Sequence, residues 1–260
     1  MSVLSHLNSI GSNLVLTTSE KSSIKTSIST LSSRLDRHFG NIEEHFVFGS
    51  FDRGTILPRS IDKNSDIDYM IVFDDGKDYT AQTLMNWLKR FVENYYSRSE
   101  IHQSSPTIVL ELNHIKFELA PAYKNWWGTL YIPAPLSDYR DWISTDPTGL
   151  KNDLLEKNRN NNFEIKKIVR ILKYWNVLND KVYSSYELER YVINGIYWFC
   201  SNIKDYFYAA VSGLPTSNLP EYKEKKVERL KDRSKKVKEY EEYKMPDIAE
   251  IELKKEIPEL

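Results

Sequence analysis

The chain has 260 residues, 40% hydrophobic and 13% aromatic, which is enough apolar surface for a packed core and rules out wholesale disorder. Its 36 Lys and Arg nearly balance 37 Asp and Glu, so no global field draws a polyanion and any nucleic-acid binding needs a local patch. A single cysteine, Cys200, excludes an internal disulfide framework and a cysteine-based zinc site. No apolar run reaches membrane-spanning length, and MSVLSHLNSI lacks a basic-then-apolar leader pattern. A soluble, reducing, cytoplasmic setting without a membrane partner is the expectation.

Residues 1–40 are rich in Ser and Thr. Ile24, Ile28, Leu31 and Leu35 recur at near-helical spacing, which predicts a helix over about 19–38, ended near Gly40, behind a loose N-terminus that carries His6. The stretch 46–73, FVFGSFDRGTILPRSIDKNSDIDYMIVF, then reads as a short apolar strand, a Gly-Ser turn, a polar connection and a second strand. Side chains alternate faces along a strand, so Asp66 and Asp68 project together while Ile67 and Tyr69 face the other side. Paired carboxylates repel unless a cation sits between them, and hard oxygen ligands suit Mg²⁺. Gly49 allows close backbone approach and Ser50 adds a hydroxyl, which suits a phosphate. Taken singly, each has a plainer reading: a strand-ending turn for Gly49-Ser50, and a turn-and-cap residue for Asp66. Together they point to a metal-dependent site for a nucleoside triphosphate.

Downstream, 80–98 reads as a helix whose stripe of Leu84, Trp87, Leu88, Phe91 and Tyr95 is core packing. TIVLEL (107–112) and IKFEL (115–119) alternate across Asn113-His114 and predict a hairpin, with Pro121 ending the second run. Glu118 thereby joins the aspartates from a neighbouring strand. A solvent-facing glutamate paired with Lys116 is the plainer reading of it, and Glu111 is a weaker substitute. Residues 123–150 contain Pro and Gly at intervals and read as an irregular connection. Helices follow: 162–178, with Ile165, Ile168, Leu172 and Trp175 on one stripe and Lys166, Arg170 and Lys173 on another; one from Ser184 through Phe199; and a charged one over 221–244, a solvated face or a patch for nucleic acid or an activator. Ser184 and Glu187 form a capping-box pattern, beside which Lys173 reads as a solvated residue. The five histidines show no metal spacing, and His45 reads as a surface or turn residue.

Several of these motifs, in order, resemble one family. Gly49-Ser50 followed by Asp66-Ile67-Asp68 is similar to the GS…DxD pattern of DNA polymerase β-like nucleotidyltransferases. FGSFDRGT, FELAPA, the Ile132-Pro133…Trp142…Thr145-Asp146-Pro147 connection, LKYW and SSYELE resemble the bacterial CD-NTases, relatives of cyclic GMP-AMP synthase and oligoadenylate synthase. The resemblance implies an α+β fold: a nucleotidyltransferase core with a mixed sheet and N-terminal helix over 1–145, an α-helical domain over 146–260, and an active site in the cleft between them. It implies that Asp66, Asp68 and Glu118 hold two Mg²⁺ or Mn²⁺ ions, Glu118 standing where an aspartate is usual. It further implies that Gly49, Ser50, Lys173 and Ser185 contact the triphosphate and that Tyr186 stacks on the base. Arg53 and Thr55 match the family's RGT, with a structural clamp as the other reading of Arg53. The implied activity joins NTPs into a cyclic or short linear oligonucleotide signal with release of pyrophosphate, in anti-phage defence with a separate effector protein. A toxin-type transfer to tRNA or protein, and an inactive nucleotide- or RNA-binding module, are the alternatives; nucleic acid as a partner is left open.

Overall fold

The computed structural model describes residues 2–104, 106–134 and 141–260. Its first element is a helix, α1 (Val3–Asn13), started by a capping box in which Ser2 and Ser5 bond each other's backbone. The expected loose N-terminus is thus corrected. Val3, Leu7, Ile10 and Leu14 recur at helical spacing and are buried, and His6 is buried with them. Thr17 and Glu20 cap α2 (Thr18–His38) in the same manner. Then come strand β1 (Ile42–Phe48), the short helix α3 (Gly49–Arg53), β2 (Asp66–Phe73) and α4 (Ala81–Tyr95). Strands β3 (Glu100–Ser104), β4 (Thr107–Glu111), β5 (Lys116–Lys124), β6 (Leu130–Pro133) and β7 (Trp142–Thr145) complete one sheet. The remaining elements are helices: α5 (Gly149–Arg159), α6 (Ile165–Leu178), α7 (Ser185–Asn194), α8 (Ile203–Ser212), α9 (Glu221–Glu242) and α10 (Pro246–Lys254).

The chain divides into two compact units. One comprises Leu16–Arg59 and Lys63–Lys151 and contains the sheet; the other comprises Met1–Val15, Ser60–Asp62 and Asn152–Leu260 and is helical.

In the sheet unit the strand order is β1-β2-β5-β4-β3, with β6 and β7 continuing from β5. Among the described residues only β2 and β5 run parallel; the other pairs are antiparallel, so the sheet is mixed. Alternation sorts its faces. Ile67, Tyr69, Ile71 and Phe73 of β2, with Phe117 and Leu119 of β5, join Leu31, Leu84, Leu88 and Phe91 in the main core. The opposite face carries Met70, Val72 and Ala122 at one end. By the same alternation it carries Asp66, Asp68, Lys116 and Glu118 at the other.

Two expectations are corrected here, and one strand is added. Strand β5 does not stop at Pro121 but continues to Lys124. Pro121 lies beyond the last residue paired to β4, so its missing N–H breaks no bond on that side. The connection over 123–150 is not wholly irregular, since β6 and β7 pair through Leu130–Pro133 and Trp142–Thr145; its residues 135–140 lie outside the described set. Strand β3, absent from the sequence reading, pairs antiparallel with β4.

The helical unit is built on α6. Ile165, Ile168, Val169, Ile171, Leu172 and Trp175 are all 0% exposed, so the helix is surrounded rather than amphipathic at a surface. Helices α1, α7 and α8 pack on it, and α9 pairs with α10. The expected helix from Ser184 to Phe199 ends instead at Asn194, and Ile196, Trp198 and Phe199 are exposed in the segment that follows.

Phe117 is fully buried between Lys116 and Glu118 and anchors β5 to the core. Truncation of such an aromatic creates a cavity, and Phe117→Ala is expected to cost about 3–5 kcal/mol in chemical denaturation. A loss below about 1 kcal/mol would show that β5 is not fixed from behind.

Candidate active site

The site is built where α3, β2 and β5 meet. Register places Phe48 of β1 beside Asp68 of β2, and Asp68 beside Glu118 of β5. Gly49 follows Phe48 with φ at +70°, a conformation that side chains with a Cβ rarely adopt. Its missing side chain is also a steric requirement: a Cβ there would lie 1.7 Å from Asp68 Oδ2. The Gly-Ser turn and the second aspartate, 19 positions apart in sequence, are therefore in direct apposition. The carbonyl of Ser50 accepts backbone N–H bonds from Thr55 and Ile56 at 2.9 and 3.1 Å, which closes α3 into a fixed turn. Gly54 ends it at φ +71°. Arg53 and Thr55 are buried behind this turn, and Lys151 Nζ donates to Asp52 Oδ1 at 2.8 Å.

Asp66, Asp68 and Glu118 share one face at one end of the sheet, as alternation predicts. In the sequence Lys116 reads only as a plain partner of Glu118. Its ammonium lies 3.2 Å from Asp66 Oδ2 and 3.0 Å from Glu118 Oε1. Glu118 thus has both of its expected attributes, the place beside Asp68 and the pairing with Lys116. Glu111, the weaker substitute, is held by Arg59 at 2.7 Å. Burial is the main cause that pushes the Asp66 carboxyl above the usual carboxylate range, and the Glu118 charge adds to it against the pull of Lys116. Burial alone would lower Lys116, but its hydrogen bond to Glu118 and the Asp66 and Glu118 charges outweigh that and raise it.

The donor set fits a hard divalent cation: three carboxylates, all oxygen, with one cationic group already standing between two of them. Their oxygens are not drawn together into a closed ligand cluster. Among the described residues, the set whose potential ligand atoms lie within 4.8 Å of one another is His6, Glu250 and Glu259 in the helical unit. Lys254 bridges those two glutamates at 2.6 and 2.7 Å, and His6 Nε2 bonds the Ile257 carbonyl at 2.7 Å, so that cluster is a satisfied staple.

The other expected residues, Lys173, Ser185 and Tyr186, lie in the helical unit. Lys173 is not the solvated residue of the plainer reading. It is 5% exposed, and its Nζ donates to the fully buried Glu189 Oε1 at 2.7 Å. Arg170, on the same expected basic stripe, is also buried. Glu189 is a functional candidate that the sequence motifs alone do not mark; its one signal is its place beside Leu188 on the inward face of α7. Ser184 forms the expected capping box with Glu187, each bonding the other's backbone N–H. That leaves Ser185 and Tyr186 exposed in the first turn of α7, with Arg190 over the Tyr186 ring at 5.7 Å. His45 is no surface histidine: it bonds the Tyr69 hydroxyl and Asp36, each at 2.8 Å.

Residues 1–158 match the Second Messenger Oligonucleotide or Dinucleotide Synthetase domain. The chain belongs to that family, a family of nucleotidyltransferases. A probable cyclic nucleotide synthase of Bacillus cereus is 28% identical over 196 residues, which cover 60% of this chain and 58% of that relative, under two thirds of its length. Among solved structures, Escherichia coli MS115-1 CdnC with ATP has a TM-score of 0.75 at 13% identity, covering 100% of this chain and 98% of that one. Bradyrhizobium diazoefficiens CdnG with GTP gives 0.71 at 10%, covering 96% and 97%. Vibrio cholerae DncV, a cyclic AMP-GMP synthase, gives 0.65 at 12%, covering 82% and 68%. The α+β polymerase β-like nucleotidyltransferase fold expected from the motifs is the fold of these CD-NTases, and the resemblance read from the sequence holds.

Two outcomes follow from this geometry. Gly49→Ala combines a strained φ with a clash on Asp68, and is expected to cost about 1–3 kcal/mol in thermal or chemical denaturation; an unchanged transition would mean the turn tolerates a side chain. Asp66 favours its protonated form more in the folded than in the unfolded protein, whose ordinary value is 3.8. The stability this gives is fully present below that value and is lost as pH rises through the raised folded one. In chelator at neutral pH, Asp66→Asn is therefore expected to melt no lower than the parent, with any gain vanishing below about pH 4. A clear drop in Tm at neutral pH would show that the Lys116 pair outweighs the burial cost.

Proposed function

We propose that the protein is a metal-dependent nucleotidyltransferase that joins nucleoside triphosphates into a cyclic or short linear oligonucleotide signal with release of pyrophosphate. The observation that carries this reading is the apposition of Asp68 to Gly49 on one side and to Glu118 on the other. It brings a phosphate-suited turn to an all-oxygen carboxylate set. Asp66, Asp68 and Glu118 would hold two Mg²⁺ or Mn²⁺ ions. Bound there, the ions would lower the pKa of an attacking hydroxyl and neutralise the triphosphate and its leaving group.

The chain's own contribution is position. Strands β2 and β5 fix the carboxylates from a packed core, and Gly49 lets a phosphate approach the backbone. Glu118 is longer by one methylene than the aspartate usual in the family. It is proposed as a ligand on the hydroxyl side and as the group that accepts the hydroxyl proton. From the helical unit, Lys173 is proposed to act on the triphosphate, with Ser185 at its terminal phosphates and Tyr186 stacking on the base. Lys173 is held by Glu189, so Glu189 sets its position. A role in anti-phage signalling, through a separate effector protein that responds to the product, is proposed from the family. Escherichia coli CdnC has been solved in complex with a HORMA protein, and a regulatory protein partner for this chain is proposed on that likeness.

Incubation with each labelled NTP and dNTP, with Mg²⁺ or Mn²⁺ and with or without tRNA, tests this. Discrete oligonucleotides formed without RNA, reduced roughly a thousandfold or more in Asp68→Ala, are the expected outcome. Label found only on tRNA or protein, or nucleotide binding without turnover under every condition, would overturn it.

A further inference from the structure

Across the sheet, the residue pairs nearest the start of β2 form a row of charges on the site face. Asp66 of β2 is the register partner of Lys116 of β5, and Lys116 is the register partner of Glu111 of β4. The next row sets Asp68 beside Glu118. Lys116 therefore stands between carboxylates on both neighbouring strands, and its ammonium has settled on Asp66 and Glu118, at 3.2 and 3.0 Å. Its side chain is 18% exposed and theirs are each 26% exposed, so the contact is neither sealed nor fully open to water.

We propose that Lys116 is a tethered counter-cation that occupies the place of a divalent ion between Asp66 and Glu118, so that metal loading is an exchange of the ammonium for the metal. This rests on the metal-dependent reading of the site. Two carboxylates brought together by strand register need a positive charge, or one of them must stay protonated. Lys116 supplies that charge with a flexible four-carbon stem and three rotatable donors. At 3.0–3.2 Å from both partners it leaves no room for an ion sharing the same two oxygens. A metal between them repels the ammonium as well, and Lys116 must swing away. Glu111 offers the berth: residues directly opposite on paired strands have Cβ atoms about 4.5–5.5 Å apart, and Glu111 is already an ion-pair acceptor through Arg59. The exchange keeps the net charge of the site bounded in both states and sets the divalent-ion concentration needed for loading higher than bare carboxylates would.

The test is Mn²⁺ binding to the full chain without nucleotide, followed by paramagnetic resonance of the free ion, in the parent, Lys116→Met, Lys116→Gln and Asp68→Asn. With no ammonium to displace, Lys116→Met and Lys116→Gln are expected to bind Mn²⁺ roughly three- to tenfold tighter, the scale of two partly exposed charge contacts. In chelator both should melt lower than the parent, since Asp66 and Glu118 lose their counter-charge, and the gap should close when Mn²⁺ is added. Two substitutions of different polarity guard against a folding artefact in either one. Equal or weaker Mn²⁺ binding in both variants, with binding still lost in Asp68→Asn, overturns the exchange and leaves the metal reading standing. Mn²⁺ binding that is indifferent to Asp68→Asn overturns the metal reading, and the exchange with it.

Discussion

The parallel pairing of β2 with β5 is the constraint on which the site depends. Among the described residues it is the one parallel pair in the sheet, and it sets Asp68 beside Glu118 and Asp66 beside Lys116. Hydrogen bonding along the strands and burial of Ile67, Tyr69, Phe117 and Leu119 behind them fix that register. A slip by one residue would turn every one of these side chains to the opposite face. The apolar face thus enforces an electrostatic arrangement that its own charges resist. Burial, with the Glu118 charge adding to it, raises the Asp66 carboxyl, and Lys116 is the local means of containing the repulsion. A fold that holds like charges together for chemistry is less stable than the same fold with neutral groups there, which is the usual relation between an active site and its scaffold.

The sheet-forming stretches were legible where period was strong. KFEL and the start of DIDYMIVF alternate, TIVLE is a short apolar run, and the structure places β5, β2 and β4 on them. What escaped were elements whose pattern is set by neighbours rather than by their own residues. Glu-Ile-His-Gln-Ser in β3 is polar because it is an edge strand, paired on one side by β4. Strands β6 and β7 are four residues each and are defined by pairing with one another. Pro121 misled because the general rule against proline in strands assumes partners on both sides. Helix α1 was hidden by its serines, though Val3, Leu7, Ile10 and Leu14 carry the helical period.

At the site, the sequence supplied the residues and the fold supplied their relations. The distance from Gly49 to Asp68 could not be read from spacing; it follows from β1 and β2 pairing antiparallel with Phe48 opposite Asp68. Lys116 was in view as a possible partner of Glu118, but its reach to Asp66 required knowing that β2 and β5 are neighbours. Lys173 shows the converse error. On a helical wheel it falls on a charged stripe and reads as solvated, yet α6 is enclosed by α1, α7 and α8, so that stripe is interior too. The residue that makes its burial tolerable, Glu189, is contributed by α7, and its place beside Leu188 does not by itself show which lysine it meets.

Three of the lysine–carboxylate arrangements differ in burial, and burial decides what each can do. Lys173 and Glu189 are 6% and 0% exposed at the side chain. Separating such a pair leaves a charge uncompensated in the interior, at a cost of about 3–5 kcal/mol, so this lysine is a fixed feature whose field can be used but whose bond is not exchanged. Lys254 is open to solvent on one side and links Glu250 to the well-exposed Glu259; water and salt screen it, and it serves as a staple of modest strength. Lys116 lies between these limits. Its partners are desolvated enough that their repulsion must be answered, and exposed enough that a diffusing cation can answer it instead. Among the three, only the intermediate case combines a need for positive charge with a route for replacing it, and it is the one placed by strand register beside Asp68 and Gly49.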